Sequence, residues 1–121
     1  RDGVSDMLDW NIVIPRGWAG RTINMYFLWS PSTTNGLNAY FSAQLRRIVD
    51  GVNLVGSATV SAVLASAAPG IVDRVKQSTM SLSLSGFSEG DGVAVRLYRA
   101  GANALDTFTG IVQISTVKLS I

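Results

Sequence analysis

Between Arg21 and Ser30 a uniformly apolar parity alternates with a mixed one. Ile23, Met25, Phe27 and Trp29 fall on one parity, and Thr22, Asn24, Tyr26 and Leu28 on the other. A period of two is the signature of a strand with one buried face, because successive side chains point to opposite sides. The same grammar recurs along the chain. Asp9–Ile14 places Trp10, Ile12 and Ile14 together, and Leu37–Leu45 places Leu37, Ala39, Phe41, Ala43 and Leu45 inward. Ile71–Leu84 turns Met80, Leu82 and Leu84 inward, and Gly90–Arg99 turns Val93, Val95 and Leu97 inward with Arg96 and Tyr98 outward. Val52–Ala68 is rich in alanine and compatible with a short helix. Its β-branched residues and the alternation of Val60, Ala62 and Leu64 favour a strand.

Two breaks in parity stand out. Arg46-Arg47 puts Ile48 on the polar side, which a bulge or a strand end there would explain. In the last segment, Ile111–Ile121, the inward set passes from Val112 and Ile114 to Val117, Leu119 and Ile121, which predicts an irregularity near Ser115-Thr116. Turn signals separate the segments: PRGWAG, Asn35-Gly36, Asp50-Gly51, Pro69-Gly70 and GFSEGDG. Six to eight strands without a convincing long helix predict an all-β chain folded as a single antiparallel β-sandwich. One domain is expected over residues 1–121, with residues 1–8 a flexible or linker-derived lead-in.

Composition sharpens this picture in one respect. Apolar residues make up 47% of the 121 residues and charged residues only 15%, against about 25% in typical soluble domains. Part of the surface is therefore expected to be covered by another molecule. The net charge is +2, and the basic residues are dispersed, unlike the clustered stripe of a nucleic-acid binder. No apolar run reaches the roughly 20 residues of a membrane-spanning helix. Because Arg1 is not an initiator, the chain is expected to be a processed product or a piece of a longer polypeptide.

Catalytic chemistry is sparse. With no His and no Cys, the usual nucleophile–base pairs and His-bearing zinc sites are missing, so no enzyme activity and no cofactor are expected. The acids Asp2, Asp6, Asp9, Asp50, Asp73, Glu89, Asp91 and Asp106 are scattered. Glu89, Asp91 and Asp106 match no calcium loop and read as solvated turn acids, so no metal site is expected. Trp10, Phe27, Trp29 and Phe41 read as core. Trp18 lies between two glycines in a turn, where it can stack on a sugar ring or plug the end of the sandwich; the plug is favoured. The loop residues Trp18, Thr34, Asn35, Asn103 and Asp106 are the candidate ligand contacts. The outward Tyr26, Tyr40, Arg96 and Tyr98 are candidates for a subunit interface, where Tyr and Arg are enriched.

The turn at Pro15, Gly17, Trp18 and Gly20, the GDGVAVRLYR stretch from Gly90 and the loop Leu105–Gly110 together resemble a β-sandwich domain recurrent in structural proteins of tailed bacteriophages. The resemblance runs from Trp10 to Ile121. It implies a jelly-roll-like domain of the tail-fibre tip, tail-needle knob or spike-head type, made in the bacterial cytoplasm and carried on the virion. It further implies a homotrimer that contacts other virion proteins and host-surface glycan; from the dispersed basic residues and short apolar runs, neither nucleic acid nor membrane insertion is expected. The marks concern the fold, so the resemblance assigns no residue a role. Alternatives are a capsid or tail decoration protein, a carbohydrate-binding module cut from a glycan-active enzyme, and a stabilising cap without a ligand.

Overall fold

The computed structural model describes residues 7–34, 37–48, 60–100, 103–108 and 110–121. They form β1 (Met7–Val13), β2 (Thr22–Pro31), β3 (Asn38–Ile48), β4 (Val60–Ala67), β5 (Lys76–Ser83), β6 (Gly92–Arg99) and β7 (Val112–Ser120). Two antiparallel sheets pack face to face, a four-stranded one in the order β1-β6-β3-β4 and a three-stranded one in the order β5-β2-β7. The pairs β1–β6, β2–β5 and β3–β4 are nested. That is the order of one long hairpin wrapped into a jelly roll, with β7 added on the free side of β2. The expected all-β sandwich is thus the observed architecture.

Alternation explains why these segments become strands. In β2 the residues Ile23, Met25, Phe27 and Trp29 are wholly buried, and the intervening ones are half-exposed. Their partners across the sandwich include Phe41, Ala43, Leu45, Val93, Val95 and Leu97. Phe41 anchors the middle, its ring 4.9 Å from Phe27 and 5.1 Å from Trp29. The indole Nε1 of Trp29 donates to Ser78 Oγ, which in turn shares a 2.8 Å hydrogen bond with Ser66 Oγ. The buried polar groups of β2, β4 and β5 satisfy one another, as burial requires.

Several sequence expectations are corrected in detail. β4 is a strand over Val60–Ala67; the stretch 49–59, with the Asp50-Gly51 turn, lies outside the described residues. β5 begins at Lys76, not Ile71, because residues 71–74 close a turn in which Asp73 takes φ 63° and Arg74 N donates to Ile71 O. β3 shows no bulge at Arg46-Arg47: its pairing with β6 runs unbroken to Ile48. Arg47 occupies an inward position at the strand end and extends to Gly86 O at 2.8 Å, so a charge sits on the core parity without entering the core. Leu37 precedes β3 and is 50% exposed. The irregularity foreseen in β7 is present: Leu28 pairs with Thr116 and Trp29 with Ile114, leaving Ser115 as the extra residue.

The end of the sandwich between β1 and β2 is built from tandem turns. Trp18 N donates to Pro15 O, and Arg21 N donates to Trp18 O. Gly17 and Gly20 hold the third positions with φ of 83° and 74°, which makes both turns type II and explains the glycine at each. Residues 84–91 between β5 and β6 form a similar pair at the same end, through Phe87 N to Leu84 O and Asp91 N to Ser88 O.

Candidate functional site

The candidate ligand residues do not form one site. Trp18 belongs to the turn end, where it is half-buried and packs against the core. Thr34, Asn103 and Asp106 belong to the opposite end, built from the loops after β2, β4 and β6. Asn35 lies outside the described residues. Asn103 is a turn former: its Oδ1 accepts from Leu105 N at 2.9 Å and its carbonyl from Asp106 N. Thr34 is exposed in the loop after β2.

Asp106, a candidate loop contact by sequence, is 1% exposed. Its carboxylate meets Arg99, whose position on β6 shares the parity of Val93, Val95 and Leu97 and is also wholly buried. Arg99 Nε donates to Asp106 Oδ2 at 2.8 Å and Nη2 to Oδ1 at 2.7 Å. The same guanidinium donates to the carbonyls of Phe108 and Gly110, both at 2.6 Å, and lies 5.4 Å from the Phe108 ring centre. Tyr40 N completes the cluster by donating to Asp106 Oδ2 at 3.0 Å. Burial pushes the Asp106 carboxyl upward, but the hydrogen bonds from Arg99 and Tyr40 N and the Arg99 charge outweigh it. The net shift is below the ordinary carboxylate range. Every polar atom named here faces another protein group, so this pair fastens the loop after β6 onto β3 and does not face a ligand.

The candidate interface residues also divide. Tyr40, Arg96 and Tyr98 share the outer face of the four-stranded sheet, whereas Tyr26 lies on the outer face of the three-stranded one, beside Lys118 at 5.9 Å. No single sheet face presents all four. Glu89 and Asp91 sit at the turn end and Asp106 at the other, and no cluster of acids suited to a metal occurs among the described residues.

Polar side chains converge instead on the outer face of the four-stranded sheet. There a hollow of about 240 Å³ is lined by Asp9, Asn11, Gln44, Arg46, Ala94 and Arg96, with the backbone of β1 and β6 beneath. Its cause is a size mismatch across strands. Ala94 of β6 lies between Asn11 of β1 and Arg46 of β3, and the next row is Asp9, Arg96 and Gln44. A methyl group flanked by long side chains leaves a trough. Arg96 closes one end of it, with Nε 2.7 Å from Asp9 Oδ1 and Nη2 3.3 Å from Oδ2. The Asp9 hydrogen bond, reinforced by its charge, holds the Arg96 guanidinium still more firmly protonated. Gln44 Nε2 contacts the Tyr98 hydroxyl at 3.5 Å.

This trough presents amide donors and acceptors, a carboxylate and two guanidinium groups around a small apolar floor. These donors and acceptors are suited to hydrogen-bonding hydroxyl-rich or carboxylate-bearing groups. Of its lining, Arg96 alone is a candidate contact by sequence. Asp9, Asn11, Gln44 and Arg46 become neighbours only once β6 is known to lie between β1 and β3. Large apolar side chains are exposed elsewhere, chiefly at the loop end: Leu37, Ile71, Val72, Val75, Leu105 and Ile111.

Compared with protein-family models, with curated proteins and with solved structures, the chain finds no match.

Proposed function

We propose that this chain is a non-catalytic binding domain of a tailed-bacteriophage virion, engaging saccharide on the host surface through the trough on its four-stranded sheet. Support for the virion setting comes from the sequence resemblance. The observation that carries the binding role is the convergence of Asp9, Asn11, Gln44, Arg46 and Arg96 around Ala94. Planar amide, carboxylate and guanidinium groups are the partners that sugar hydroxyls and acidic sugar carboxylates accept, and a shallow open hollow favours weak binding per site. The test is binding of the purified domain to immobilised bacterial lipopolysaccharides and capsular polysaccharides. Binding to at least one is expected, falling tenfold or more in Asn11→Ala and Gln44→Ala with unchanged melting temperature. Polysaccharide binding that survives both substitutions would refute the assignment of the trough.

A second reading, contact with another virion protein as in a decoration protein, is favoured by the apolar loop end. Leu37, Ile71, Val72, Val75, Leu105 and Ile111 are exposed there, a concentration that marks interaction surfaces. Under this reading Leu105→Asp abolishes incorporation into particles while Asn11→Ala leaves it intact.

A further inference from the structure

An open strand edge offers unpaired backbone groups to any other strand, and proteins blunt such edges with charges, prolines, bulges or inward-pointing charges. Among the described strands, three of the four sheet edges carry such a device. β1 places Asp9 on its outward side. β5 opens with Lys76 on the inward parity, opposite Trp29, and its outward positions Gln77, Thr79, Ser81 and Ser83 are all polar. β7 carries the extra residue Ser115 and an outward Lys118. β4 carries none. Its sequence VSAVLASA has no charge, no proline and no glycine, and it pairs with β3 without a register shift. Among the described residues no strand lies on its other side. The edge is also held firm, since Ser66 is tied to Ser78 of the opposite sheet.

We propose that β4 is a docking edge for β4 of a second copy, the two strands pairing antiparallel about a two-fold axis near Val63. The unsatisfied element is a backbone ladder, so the occupant is a strand. A strand pairs with itself only if nothing in it repels its own image. With Val63 opposite Val63 of the second copy, Ser61 faces Ala65 on the outer side. On the inner side Ala62 faces Leu64, and Val60 faces Ser66. Every pair is small and uncharged, and opposite residues keep the same face, as antiparallel pairing demands. The half-exposed inner side chains Val60, Ala62 and Leu64 gain cover in the same step. By contrast, a homotypic β1 or β7 edge brings Asp9 or Lys118 toward its own copy.

This inference stands independently of saccharide binding, and it gives a two-fold dimer where the phage resemblance implies a homotrimer. Sedimentation equilibrium over a wide concentration range decides between them. A species of twice the 12.9 kDa chain mass is expected. Val63→Lys, at a side chain 57% exposed, is expected to weaken association by more than about tenfold, because two like charges meet at the axis. Its circular dichroism and melting temperature should match those of the parent, and Gln113→Lys on β7 should leave the dimer intact. Hydrogen exchange is expected to show concentration-dependent protection of β4 amides alone. A monomer throughout, a trimer, a dimer indifferent to Val63→Lys, or protection at another edge would each overturn the proposal.

Discussion

Arg99 and Asp106 show how one buried pair organises a whole loop. Burying two charges is costly unless geometry and extra hydrogen bonds compensate. Here the pairing is bidentate and the remaining contacts go to the carbonyls of Phe108 and Gly110. Position 110 needs a glycine, since with φ 119° a Cβ there would lie 2.7 Å from Thr33 Cγ2. Asp106→Ala is expected to destabilise the fold by about 3–5 kcal/mol, leaving an uncompensated guanidinium in the core. The apolar double replacement Arg99→Met with Asp106→Leu is not expected to restore stability, since it orphans the two carbonyls and Tyr40 N. The pH dependence has a definite sign. The Asp106 carboxyl titrates lower in the folded chain than its ordinary value. Its stabilising contribution is therefore complete above the unfolded value of about 4 and is lost as pH falls through the lower folded value. Urea titrations between neutral pH and pH 2 should show this loss in the parent and a flatter profile in Asp106→Asn. At this scale the sequence was partly legible. Arg99 stands on the inward parity of Val93, Val95 and Leu97 and so announces a buried charge in need of a partner. That the partner is Asp106 depends on how the loop folds back, which periodicity does not encode.

Elements were more legible than residues, because alternation survives in a single sequence while contacts between elements do not. The shift of inward parity in the last segment foretold the extra residue in β7, found at Ser115. A similar shift at Arg46-Arg47 did not mean a bulge. At a strand end a long side chain can leave the core parity for a turn carbonyl, as Arg47 does with Gly86. The strand expected from Ile71 starts later because Ile71 and Val72 are exposed in a turn and Val75 in the link that follows it, where hydrophobicity alone reads as strand. Grouping Trp18 with Thr34 and Asn103 failed for a topological reason: successive loops of an antiparallel sandwich alternate between its two ends. Ser115 also offers an element-level test. Deleting it keeps Val112, Ile114, Val117 and Leu119 in phase, so the fold should persist with a change of about 1 kcal/mol or less, as for other surface changes outside the core. It also flattens an edge that the bulge now distorts. Light scattering should therefore rise with concentration in the deletion variant and not in the parent, while the melting temperature stays close to the original.

At the scale of the whole molecule, the trough and the open edge lie on the same sheet but do not compete. The trough is over β6, and β3 separates that strand from β4. A two-fold axis normal to the sheet joins the two four-stranded sheets into one of eight strands and keeps both outer faces on the same side. With strands about 4.8 Å apart, the two troughs lie five spacings, about 24 Å, apart across the strands. The axis at Val63 is level with Ser42 and Tyr98, about three residues from the trough centre, so the troughs are also offset by about 20 Å along the strands. They lie about 30 Å apart and open in the same direction. Two weak sites so placed bind a repetitive polymer far more tightly than either alone, since the second contact is intramolecular. A split result in Val63→Lys is therefore expected. Its affinity for a short soluble oligosaccharide should equal that of the parent, because the trough is untouched. Its retention on a surface coated with the intact polysaccharide should fall by about a hundredfold, within the range avidity supplies. Surface plasmon resonance on the two ligand forms reads both values. Equal loss on both would mean that the substitution damages the trough itself. Loss on neither would mean that the two copies do not act together on one polymer.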